Sequence, residues 1–143
     1  MLADPAHSDT RTGMTVRRLQ HVSVARPPGR EGHRRAVAFY QDLLGLREIP
    51  KPSTFTDDVD VTWFQLGDTE VHLYARGEAE PAPDSDAHFC LVVEDLQAAR
   101  SRLEAAGYAC SVPIEIPGRP RFNSSDPFGN QIEFTVIERD YRS

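Results

Sequence analysis

Residues 126–134 read Asp-Pro-Phe-Gly-Asn-Gln-Ile-Glu-Phe. The first five carry turn chemistry, since proline presets φ while glycine and asparagine tolerate the left-handed region. Residues 131–137 then alternate as a strand, with Ile132, Phe134 and Val136 on one face and Glu133 on the other. A lone carboxylate opposite so apolar a face suits either a solvated edge or the wall of a polar cavity.

Working outward, residues 121–124 and 108–112 read as short strands. Before them Asp95 can cap a helix whose Leu96, Ala99, Leu103 and Ala106 share a face, with Gly107 as its stop. Residues 87–93 (AHFCLVV) form the strand that opens this half. The same order appears earlier in the chain. Residues 18–24 (RLQHVSV) read as a strand, broken by the Arg26-Pro-Pro-Gly-Arg30 stretch. A helix over 33–44 then buries Ala36, Phe39, Tyr40 and Leu43 and stops at Gly45. Strands follow at 46–49, 59–66 and 70–74, the last two joined by a tight turn at Gly67-Asp68. The chain thus predicts an α+β fold of two βαβββ modules, about 16–75 and 87–138, in a single domain over 16–143. Residues 76–86 (RGEAEPAPDSD) read as a linker, and residues 1–15 as a disordered extension.

Composition narrows the function classes. Sixteen Lys and Arg against 22 Asp and Glu give a net charge of −6, which argues against nucleic-acid partners. No apolar run approaches the roughly 18–20 residues of a membrane span, and the N-terminus lacks a signal-peptide pattern. Two cysteines, Cys90 and Cys110, are too few for a disulfide framework. A cytosolic protein is expected.

Three histidines repeat the placement of Glu133. His21 lies opposite Val22 and Val24, His72 opposite Val71 and Leu73, and His88 opposite Phe89, Leu91 and Val93. Singly, each reads as a hydrogen-bonded or surface residue. As a set from the first and last strands of both halves, they suit one divalent transition metal in a cavity lined by a curved mixed sheet. His7 and His33 lack such a setting and are expected to be solvent-exposed.

The repeated unit, the "FYQDLLGL" helix end at 39–46, the "DPFGNQIEF" turn and strand, and the ligands on first and last strands resemble the vicinal oxygen chelate superfamily. That superfamily includes glyoxalase I, extradiol dioxygenases, fosfomycin-resistance thiol transferases and bleomycin-resistance proteins. The resemblance spans about residues 16–138. It implies a metal-dependent enzyme, commonly a homodimer, whose small substrate chelates the metal through vicinal oxygens. It further implies His21, His88 and Glu133 as ligands of Fe, Mn, Zn, Ni or Co, with no organic cofactor. His72 stands either as a fourth ligand or as an acid/base group, and Glu133 as a second catalytic candidate.

Members of the superfamily match unevenly. Bacterial glyoxalase I resembles the chain at His21, His88 and Glu133 but carries a glutamate where His72 stands. Extradiol dioxygenases resemble it at the same three positions and carry an acid/base histidine where His72 falls, yet their active-site tyrosine is replaced by Asn123. Ring-cleaving dioxygenase and glyoxalase-like lyase or isomerase chemistry are both implied. Tyr74, Trp63, Asn123, Arg121 and Cys90 are candidate pocket residues. Arg119 and Arg121 read either as anion-binding groups or as ordinary surface arginines. The bleomycin-resistance members imply the alternative, a metal-free binder of cationic drugs, which a charge of −6 would suit.

Overall fold

Apolar–polar alternation and turn residues punctuate both halves of the chain, and the backbone follows them. The computed structural model describes residues 13–77 and 86–142. The first half holds β1 (His21–Arg26), α1 (Gly29–Ala36), a π-helical segment (Val37–Leu43), β2 (Arg47–Ile49), β3 (Val61–Leu66) and β4 (Thr69–Ala75). The second holds β5 (His88–Val92), α2 (Leu96–Ala105), β6 (Arg121–Ser125) and β7 (Gln131–Thr135). One sheet runs β1-β4-β3-β2 and the other β5-β7-β6. In each, the opening strand lies parallel to the closing one and the remaining pairs are antiparallel. The α+β architecture with two sheet modules is therefore as expected, with four strands in one and three in the other.

Local differences have local causes. The strand expected at 108–112 contracts to a single bridge between Ser111 and Asn123. Pro113, Pro117 and Pro120 follow it and supply no ladder donors. The first helix begins four residues earlier than expected, behind Pro28 in an extended conformation, and then widens. Leu44 N donates to Phe39 O at 2.9 Å, an i→i+5 bond. The consecutive Phe39 and Tyr40 on this segment are both buried in the core, as the helical stripe predicts. Asp95 caps α2 through Ala98 N at 3.0 Å, as expected, but Ala106 is exposed beyond the last turn. His33 is not simply solvated: its Nε2 lies 2.8 Å from Glu48 Oε2 on β2. His7 and the linker residues 78–85 fall outside the described residues.

Both halves contribute to one apolar cluster, including Phe39, Tyr40, Phe64 and Leu73 from the first and Leu103, Phe122, Ile132 and Phe134 from the second. Each fully buried side chain of this size contributes about 1.5–3 kcal/mol. The 126–130 turn ties the halves together. Asp126 accepts from Tyr40 Oη (2.7 Å), Phe128 N (2.9 Å), Asn130 N (2.9 Å) and Asn130 Nδ2 (2.8 Å). Asn130 Nδ2 also donates to Ala25 O on β1 at 2.9 Å. Because both sheets turn their apolar faces to the same core, their polar faces point outward from it. No helix among the described residues is long and apolar enough to cross a membrane.

Candidate functional site

On the first sheet, strand register sets the arrangement. His72 on β4 lies directly opposite Trp63 on β3, and His21 on β1 lies opposite Glu70. The three rings stack. Centroids are 3.9 Å apart for Trp63 and His72 (3°) and 4.1 Å for His21 and His72 (16°). Phe55 meets Trp63 edge-on at 5.6 Å. His72 Nε2 lies 2.7 Å from Glu70 Oε1, and His21 Nδ1 lies 2.6 Å from Gln20 Oε1. The hydrogen bond from His72 holds the Glu70 carboxyl below the ordinary glutamate range, with Gln20 adding a smaller push. Tyr74 stands exposed on the same face.

The second sheet places Glu133 on β7 between Cys90 on β5 and Asn123 on β6. Glu133 is 3% exposed, so its charge needs partners. His88 Nε2 lies 3.2 Å from Oε1, while His88 Nδ1 donates to the Asp86 carbonyl at 2.8 Å. Arg119 Nη2 pairs with Oε2, and Arg121 Nη1 stands 3.5 Å from Oε1. The Asn123 backbone is occupied by Ser111, through bonds of 2.7 and 2.9 Å.

Cys90 shares this surface, with Arg119 Nη2 3.9 Å from its sulfur. Burial, and then the Glu133 carboxylate, push its thiol up to about 11 from an ordinary 9.0. At pH 8 the thiolate fraction is then about a hundredfold below that of an unperturbed thiol, partly offset by the greater nucleophilicity of a more basic sulfur. Metal-stripped protein is expected to react with iodoacetamide at Cys90 about tenfold more slowly than urea-unfolded chain. Equal rates, followed by mass spectrometry of the Cys90 peptide, would contradict that environment.

The structure thus joins His21 to His72 and Trp63, and His88 to Glu133, Arg121, Cys90 and Asn123. It does not gather three His, Cys, Asp or Glu side chains at one metal-holding point among the described residues. Two partners escaped the sequence reading. Glu70 lies two residues before His72, so strand period alone puts it on the same face, and Gln20 adjoins His21.

Comparison with known proteins fits this architecture. The profile of the Glyoxalase/Bleomycin resistance protein/Dioxygenase superfamily matches residues 18–134. A solved glyoxalase family protein from Bacillus anthracis is 32% identical, with 87% of this chain and 98% of that one covered at a TM-score of 0.77. TnmS3, an antibiotic binding protein from Streptomyces sp. CB03234, is 22% identical over 87% of this chain and 99% of its own, at TM-score 0.64. Lactoylglutathione lyase from Agrobacterium tumefaciens is 20% identical over 85% and 94%, at TM-score 0.59. Those last two likenesses concern the fold alone. No curated protein matches the chain. With the profile covering most of its length and the strand–helix–strand unit present in both halves, the chain belongs to the glyoxalase/bleomycin resistance protein/dioxygenase superfamily.

Proposed function

We propose that the chain is a metal-dependent lyase or isomerase acting on a small molecule that chelates the metal through vicinal oxygens, with each site built between two copies. The observation that carries this reading is the division of donors. His21 and His72 occupy the polar face of one sheet and His88 and Glu133 that of the other, and among the described residues no three such donors meet within one chain. A two-fold dimer that sets the first face of one copy against the second face of its partner would unite the His21 and His88 imidazoles with the Glu133 carboxylate, and set His72 beside them. That donor set fits Zn, Ni, Mn, Fe or Co in its chemistry. The bound metal would supply Lewis-acid stabilisation of a developing oxyanion.

The chain's own residues do the rest. Glu133, inside its sheet, brings the carboxylate that offsets the metal's charge. Trp63 packs flat on His72 and fixes the plane of its ring. Glu70 holds the His72 Nε2 edge, so this pair can take and return a proton beside the ion, as transfer between adjacent carbons requires. Asn123 in place of the dioxygenase tyrosine favours proton-transfer chemistry over ring cleavage.

Elemental analysis of protein purified without a histidine tag tests the reading. About one equivalent of Ni or Zn per chain is expected, absent from His21→Ala. Fe or Mn at that stoichiometry would redirect the assignment to a dioxygenase. A second reading rests on the row of Phe55, Trp63, His72 and His21 rings, an aromatic wall that would line a groove for an apolar ligand. Protein that binds no metal even after reconstitution would favour that metal-free binder.

A further inference from the structure

Glu133 carries more positive charge than one carboxylate needs. Arg119 pairs with Oε2, Arg121 approaches Oε1 at 3.5 Å, and both side chains are only 18% exposed. Arg121 Nη2 donates to Ile114 O at 2.7 Å, but its buried Nε has no hydrogen-bond partner. Both arginines project from a fixed segment. Glu138 N donates to Gly118 O, Thr135 Oγ1 donates to Pro120 O, and the Arg119 guanidinium lies 5.2 Å from the Tyr141 ring centroid. A buried donor left unpaired costs stability unless a ligand takes it, and two neighbouring guanidiniums bind a planar carboxylate bidentately.

A metal ion and Arg119 compete for the same oxygens, because a carboxylate that ligates a cation gives up part of its hydrogen bonding to a guanidinium. Resting on the metal-dependent reading above, we propose that Arg119 stands in for the cation at Glu133 in the metal-free chain. When the metal takes Glu133, Arg119 and Arg121 are released to bind a carboxylate group of the substrate. The site then binds anionic substrates more tightly after metal loading, which favours binding in that order.

Calorimetry with Zn2+ and with benzoate, a carboxylate probe, tests the exchange on the full chain. Zn2+-loaded wild type is expected to bind benzoate about tenfold more tightly than metal-free wild type. Arg119→Met is expected to bind Zn2+ about tenfold more tightly than wild type, because the competing pair is gone. Arg121→Leu, loaded with Zn2+, should lose most of the benzoate affinity. That variant separates guanidinium binding from direct ligation of the probe by the metal. Benzoate affinity indifferent to Zn2+, full retention of it in Arg121→Leu, or unchanged Zn2+ affinity in Arg119→Met would overturn the exchange while leaving the metal site standing. Absence of Zn2+ binding in every protein would overturn both. Should Arg119→Met fail to fold by near-ultraviolet circular dichroism, the two wild-type titrations and Arg121→Leu still decide the matter.

Discussion

His21→Ala and His88→Ala proteins, each empty of metal alone, are expected to regain about a quarter of the wild-type metal content when unfolded together and refolded at equal ratio. The expectation follows from where the donors sit. In the proposed site His21 belongs to the half on the first sheet and His88 to the half on the second, and each of those polar faces lies away from a common core. Half of the random dimers pair one variant with the other. Such a dimer has one site with both defects and one with none, because the intact first sheet of the His88→Ala copy meets the intact second sheet of the His21→Ala copy. A site contained within one chain cannot be repaired by mixing and would stay empty. Mixing His88→Ala with Glu133→Gln supplies the control, since both defects fall on the same sheet and no pairing restores a complete site. Metal content of the dimer fraction from gel filtration is the readout. An empty His21→Ala and His88→Ala mixture would refute the shared site.

Why the face of each histidine was legible, and the division of the site was not, comes down to the range of the interactions. Strand alternation is local, so His21, His72, His88 and Glu133 could each be assigned to the polar side of a sheet from their neighbours. Glu70 was legible by the same rule. That Phe39, Tyr40, Phe122 and Phe134 share one core across some hundred residues of chain, while no three donors among the described residues gather within it, is long-range packing that periodicity does not carry. The π-helical widening at 37–43 is likewise decided by packing. The helical stripe predicted burial of Phe39 and Tyr40, and both are buried, but the i→i+5 bonding of the segment is not written in their spacing. The pairing of His33 with Glu48 joins a helix to a strand fifteen residues on and was equally out of reach.

Asp126→Ala should lose about 4 kcal/mol of stability, near half of what a domain of ordinary stability has. The DPFGN stretch that most clearly marked the family is a structural latch. Asp126, 3% exposed, gathers four donors: a phenol from the first half, two backbone amides of its own turn, and the Asn130 side chain. Burial pushes its carboxyl up, against the four hydrogen bonds that favour the ionised form. Alanine strands the buried Tyr40 and Phe128 donors and removes the acceptor of the two part-buried Asn130 donors, at about 1 kcal/mol for each donor left unpaired. It also frees the Asn130 side chain that reaches Ala25 O on β1, so the loss falls on the contact between the two halves. Asp126→Asn keeps one acceptor oxygen and should lose about half as much, whereas Tyr40→Phe removes a single donor and should cost about 1 kcal/mol. Urea titration followed by Trp63 fluorescence and by far-ultraviolet circular dichroism would rank the three. The single tryptophan lies in the first half, so in Asp126→Ala its transition can separate from the whole-chain signal. A midpoint for Asp126→Ala within the error of wild type would show that the four bonds contribute nothing net. A loss equal to that of Tyr40→Phe would confine the latch to the phenol alone.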